Sequence, residues 1–191
     1  LQFIGLEWMV AALLFVWFGT RARAAIAAVL LVGSWLLFRF VGAPDFPGAL
    51  PFTPEGNLGC WFDRMVFGAN HIYEKLFDPE GAAGFLPGVV TPMLGMFAGE
   101  IVRKSEWSMS RKTGLLVVLG VGLLVSGFAW SLVFPINKAL WSPSFTLAVG
   151  GISMLAFAFF FWIIDVRGVV AWSFPFRVIG MNSILIYMLQ A

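Results

Sequence analysis

The sequence predicts an all-α protein, a polytopic bundle of transmembrane helices with about six spans, and three observations predict it. Of 191 residues, 60% are hydrophobic and only 12% charged, against roughly a quarter charged in an ordinary soluble domain. A water-soluble globule of this size would carry contiguous apolar patches that soluble monomers rarely expose. The apolar residues also fall in continuous runs, and about 20 such residues cross a hydrocarbon core of about 30 Å. Finally, the runs lack the alternation of a barrel strand, and a helix satisfies its backbone amides within its own segment, as lipid requires. The same composition excludes a disordered chain, and a single cysteine, Cys60, excludes a disulfide scaffold. The net charge of +2 is too small and too scattered for a nucleic-acid-binding surface.

In chain order, spans are expected at 1–19, 24–42, 85–102, 114–133 and 144–164, with a truncated sixth from 180 to 191. The chain starts with Leu1 inside an apolar run, without the charged leader of a signal peptide. It also ends inside an apolar run. The expectation is one membrane domain, 1–191, forming the C-terminal part of a larger polytopic protein. GMFAG at 95–99 is a GxxxG pattern and reads as helix packing.

The charges between spans set an orientation. Loops 20–23, 103–113 and 165–179 carry Arg21, Arg23, Arg103, Lys104, Arg111, Lys112, Arg167 and Arg177, whereas loops 43–84 and 134–143 carry only Arg64, Lys75 and Lys138. Eight basic residues against three place the first set in the cytoplasm and the second outside. Loop 43–84 opens with a Pro/Gly-rich stretch and continues with apolar residues at helical spacing, so Trp61, Phe62, Met65 and Val66 are expected on one face of a short interfacial helix.

Charge inside a span is a functional hypothesis with a structural alternative. Glu7 and Arg39 lie about 18 and 22 Å above their shared turn, so they either form an intramembrane ion pair or line a substrate cavity. Glu100, Arg103 and Asp165 sit at helix ends, where snorkelling explains them. His71, the only histidine, suits proton transfer near neutral pH; fixing the loop by a hydrogen bond, or ligating a pigment or haem, are its alternatives. No second His or Cys at ligand spacing supports a metal site. Asn182 and Ser183 follow Gly180 and either cap the last helix or point into the bundle. Asn137 and Lys138, between Pro135 and Trp141, form either an interfacial turn or a clamp for an anionic or hydroxylated ligand. No Walker loop, dinucleotide fingerprint, nucleophile elbow or zinc-protease helix is present.

Taken together, DRMVFGANHIYEKLFDPEG (63–81), FPINKALWSPSF (134–145), DVRG (165–168), the FPF and IGMNSILIY segments of 174–187, and the opening LQFIGL closely resemble the heparan-alpha-glucosaminide N-acetyltransferase family and its bacterial relatives. The resemblance runs the length of the chain and corresponds to the C-terminal part of that family. It implies a membrane acyltransferase that moves acetyl from acetyl-CoA, as co-substrate, to an amino sugar or envelope glycan. It further implies that Asp63, Asn70, His71, Asp78 and Glu80 bind sugar hydroxyls, and that Asn137, Lys138, Asn182 and Ser183 hold the acyl carbonyl or CoA. The family's catalytic histidine lies in a His-x-x-Trp-x-Gly segment upstream of this region. No such segment occurs here, and His71 belongs to a different motif.

The expected setting is a lipid bilayer, the bacterial cytoplasmic (inner) membrane, with a homo-oligomer or larger membrane complex as partner. The alternative to an enzyme is a catalytically silent homologue kept as a structural or accessory subunit. A transporter is a third option, favoured by Glu7 and Arg39, but paired broken helices in symmetric positions are missing.

Overall fold

The computed structural model describes residues 2–68, 70–72, 74–76, 78, 81, 84–182 and 188. Among them the chain forms α1 (Gln2–Trp17), α2 (Thr20–Phe40), α3 (Leu58–Phe67), α4 (Phe85–Arg103), α5 (Met109–Ser131), α6 (Pro143–Phe161) and α7 (Phe174–Met181). A π-helical turn, Trp162–Val166, extends α6. The helices start where side chains satisfy the orphan amides of a first turn. Asn57 accepts from the Gly59 and Cys60 amides at the start of α3, and Ser108 accepts from Arg111 N at the start of α5. Ser142 accepts from Phe145 N before α6, where Pro143 takes the first position, which needs no N–H.

Four helical rods are long and apolar enough to cross a bilayer: Thr20–Phe40, Phe85–Arg103, Met109–Ser131 and Pro143–Val166. The chain is an integral membrane protein of helical architecture. The first expected span is the shorter α1 of 16 residues, about 24 Å long. The truncated sixth is not seen as a span: α7 ends at Met181, and residues 183–187 and 189–191 lie outside the described residues. Two expected loops are shorter than their charges suggested. Residues 20–23 form the first turn of α2, and Arg111 and Lys112 lie in the first turn of α5. Basic residues at an N-terminus oppose the helix dipole; exposed Arg21 and Arg111 reach water, whereas Arg23 and Lys112 are buried.

The tightest packing is between antiparallel α5 and α6. A Cβ on Gly127 would meet the backbone nitrogen of Ala148 at 2.6 Å, and one on Gly151 would meet that of Leu124 at 2.6 Å. Small residues let the two backbones touch, which substitutes in lipid for a hydrophobic driving force. GMFAG does not do this. A Cβ on Gly95 or Gly99 meets nothing within 4 Å; both glycines line an apolar groove of about 330 Å³ between α4 and α6. The other half of the bundle is α4 against α1 and α2, around Ala11, Ala27, Leu31, Val90 and Met93.

Candidate functional site

The described residues of the 43–84 connection form a folded cap, and Arg64 on α3 is its centre. Its guanidinium donates to both carboxylate oxygens of Asp45, at 2.9 and 3.0 Å, and to the carbonyls of Pro54 (2.9 Å), Leu76 (2.6 Å) and Glu55 (3.2 Å). The planar fork of arginine suits this multidentate role. The Arg64 hydrogen bonds hold the Asp45 carboxyl below the usual carboxylate range. On the same helix Cys60 is 1% exposed, and burial, reinforced by the Asp63 charge, pushes its thiol up to about 12.

The start of α4 gathers the site. Asp63 is fully buried, with its carboxylate against Gly81; Trp141 packs on Gly84; and Glu7 of α1 rests its carboxylate on Gly88. In each case a Cβ on the glycine would collide with the seated side chain. Three glycines over eight residues therefore let the 63–81 motif, the 134–145 turn and α1 meet at one helix end. Pro92 lies one turn below Gly88 inside α4, and a proline withholds the hydrogen bond that the carbonyl four residues earlier would accept. The Gly88 carbonyl thus loses its helical donor at the position where Glu7 brings further acceptor oxygens.

The 134–145 turn is rigid. Asn137 Oδ1 accepts from the amides of Ala139 and Leu140, and Ser142 Oγ donates to the Pro135 carbonyl. Buried Ser144 donates to the Phe134 carbonyl at 2.8 Å. These bonds hold Trp141 at φ 48°, a left-handed conformation that non-glycine residues rarely adopt. Its indole donates to Thr91 Oγ1 on α4 at 3.2 Å. The sequence marks Trp141 only as the end of an interfacial turn and does not announce this contact, whose one signal is the run of turn-forming residues just before it.

The remaining expected residues divide. Asn70, His71 and Lys138 are exposed, and Asp78 is half-buried beside Gly81, whose amide its carbonyl accepts. His71 also turns the chain, its backbone N–H donating to the Gly68 carbonyl. Asn182 does not open a helix: its Nδ2 donates to the Val178 carbonyl at 2.8 Å, closing α7. Glu80 and Ser183 lie outside the described residues. Glu7 and Arg39 do not pair. α1 packs on α4, which carries Glu7 to Gly88, while the exposed Arg39 sets its guanidinium over the rings of Phe40 and Phe52.

At the opposite end Glu100 is more than a snorkelling residue. It forms an ion pair with buried Arg23 of α2 and accepts from Thr20. The Arg23 Nε and Nη1 atoms have no hydrogen-bond partner, and the guanidinium lies 4.4 Å from the centroid of Phe15 and 5.7 Å from that of Phe97. Ring faces thus meet the cation where hydrogen bonds do not. Phe15, Thr20, Glu100, Arg103 and Lys104 line an adjoining cavity of about 480 Å³. Among the described residues no group of His, Cys, Asp and Glu side chains is arranged to hold a metal.

No family model matches the sequence. Heparan-alpha-glucosaminide N-acetyltransferase of Mus musculus is 30% identical over 157 residues, covering 73% of this chain and 24% of the relative. The Homo sapiens protein of the same name is 30% identical over 163 residues, covering 76% of this chain and 24% of the relative. The chain spans about a quarter of the length of these relatives. Over about three quarters of its own length the chain is a partial homologue of heparan-alpha-glucosaminide N-acetyltransferase.

Proposed function

We propose that, in a protein of the relatives' length, this chain forms part of an acetyltransferase moving acetyl from acetyl-CoA to an amino sugar or envelope glycan. The observation that carries the reading is the glycine-lined start of α4, where Asp63, Trp141 and Glu7 converge from three segments. Carboxylates fix sugar hydroxyls and amino groups through paired hydrogen bonds, and an aromatic face suits the apolar side of a sugar ring. Asn70, His71, Asp78 and Glu80 would extend this acceptor face, Asn137 and Lys138 would hold the acyl carbonyl as it reaches the acceptor, and Asn182 and Ser183 would hold CoA. CoA is polyanionic, and the cavity beside Arg103 and Lys104 offers it cations. In this reading the basic end faces the cytoplasm of a bacterial inner membrane, and an upstream histidine, as the resemblance implies, acts as base or nucleophile.

The test is binding by the purified chain in detergent micelles. Acetyl-CoA should bind in calorimetry, and Arg103→Gln with Lys104→Gln should weaken it about tenfold, the equivalent of about 1.4 kcal/mol. Glucosamine should quench tryptophan fluorescence in the parent chain but not in Trp141→Phe. A chain that binds neither compound refutes the reading.

A further inference from the structure

The end of the bundle formed by α5 and α6 carries a second arrangement, separate from the cavity at Arg103 and Lys104. The rods Met109–Ser131 and Pro143–Val166 are antiparallel neighbours of spanning length, so the start of one lies beside the end of the other. Each end presents an arginine on a tryptophan. The Arg111 guanidinium sits 4.6 Å from the Trp107 ring centroid, and that of Arg167 sits 5.3 Å from Trp162.

Local structure makes both pairs. Ser108 caps α5, with Trp107 just before it and Arg111 in the first turn. At α6 the helix widens to a π-turn, in which Arg167 N donates to the Trp162 carbonyl at 2.9 Å. That i to i+5 closure brings residues 162 and 167 together where an α-helical turn would align 162 with 166. Trp107 and Val166, the neighbour of Arg167, pack on the same core of Leu116, Met154 and Phe161, and α5 contacts the π-turn, which puts both pairs at the same end of the α5–α6 pair. Both arginines are exposed, and neither is ion-paired among the described residues. Glu100, Glu106 and Asp165 are the acids of this end, Glu100 being paired with buried Arg23, against exposed Arg103, Lys104, Arg111 and Arg167 and buried Lys112.

Indole rings settle at the headgroup level of a bilayer, and a guanidinium lying on one keeps its donor fork turned to water and phosphate. We propose that these two arginine–tryptophan pairs form a docking surface for anionic phospholipid headgroups. The charge is complementary and the aromatic supports fix its depth, which distinguishes the surface from scattered cations.

The experiment places the full chain in phosphatidylcholine vesicles and measures, by electron spin resonance, its preference for spin-labelled phosphatidylglycerol over spin-labelled phosphatidylcholine. Anionic lipid attraction near a surface predicts roughly a fivefold preference per arginine. The preference should fall stepwise in Arg111→Gln and Arg167→Gln and vanish in the double variant, while Lys138→Gln at the other end retains it. If the double variant loses its helical circular dichroism, Trp107→Leu with Trp162→Leu replaces it; that variant keeps both charges and should lower the preference. Four results overturn the proposal: no preference in the parent chain, an undiminished one in the double or tryptophan variant, an equal loss in Lys138→Gln, or displacement of the lipid by soluble glycerol phosphate.

Discussion

Arg64 and Asp45 show how one exposed ion pair can do less than its geometry suggests. The Asp45 side chain is 36% exposed, and pairs of this kind contribute about 0.2–1 kcal/mol. Because the folded carboxyl titrates below its ordinary value of 3.8, its contribution is present above that value and is lost as pH falls through the lowered one. Limited proteolysis of the 43–84 cap should therefore accelerate only below about pH 4, and Asp45→Asn should remove that step while leaving neutral-pH protection nearly intact. Arg64→Gln acts differently, because three backbone carbonyls also lose their donor; about 2–3 kcal/mol and rapid cleavage at neutral pH are expected. Cys60, with its thiol near 12 and 1% exposed, should resist maleimide in the folded chain and react after denaturation in dodecyl sulfate. At Gly88, an alanine would push its methyl into the Glu7 carboxylate, lowering the thermal midpoint by the equivalent of about 1–3 kcal/mol. Glu7→Gln should be tolerated, since an amide NH₂ can donate to the carbonyl that Pro92 leaves open.

Helices are where sequence and structure agree most, and their contacts are where they part. Continuous apolar runs between charged loops located the four spanning rods, because lipid leaves a backbone little choice but to be helical. The start of α5 was misplaced by several residues, since polar Ser110 and Thr113 mark an edge by hydropathy while Ser108 marks it by hydrogen bonding. Contacts follow from which face turns inward, and a GxxxG pattern does not say. Gly95 and Gly99 were expected to pack but instead line a groove, whereas Gly127 and Gly151, in no such pattern, carry the tightest approach of one helix backbone to another. In the candidate site, Asp63 was named from its motif, and the structure buries it against Gly81. Its neighbours were not legible, because Gly81, Gly84 and Gly88 act by what they lack. Gly127→Val should therefore destabilise the α5–α6 pair by about 2 kcal/mol or more in unfolding from mixed micelles. Gly95→Ala and Gly99→Ala should be neutral or stabilising by about 0.5–1 kcal/mol each, by raising helix propensity in open space.

For the whole molecule, the charge asymmetry becomes a geometric constraint. Arg23 at the start of α2 pairs with Glu100 at the end of α4, and the start of α5 packs beside the π-turn that ends α6. The basic residues near 20–23, 103–112 and 167 thus share one end of a folded object, while the 43–84 cap and the 134–145 turn meet at the other, where Trp141 packs on Gly84. Sidedness in the membrane is therefore a single choice, made once for all of them. In a Cys60→Ser background, Ser105→Cys and Arg167→Cys should be labelled by an impermeant maleimide from one face of sealed vesicles, and Pro47→Cys and Lys138→Cys only from the other. The greater density of Lys and Arg predicts labelling of the first pair from the cytoplasmic face, because translocating a basic segment is the less favourable option. Labelling of all four positions with the faces exchanged would reverse the orientation and leave the fold standing. Labelling of Ser105→Cys and Arg167→Cys from opposite faces would break the fold itself, since α4, α5 and the end of α6 could not then belong to one bundle.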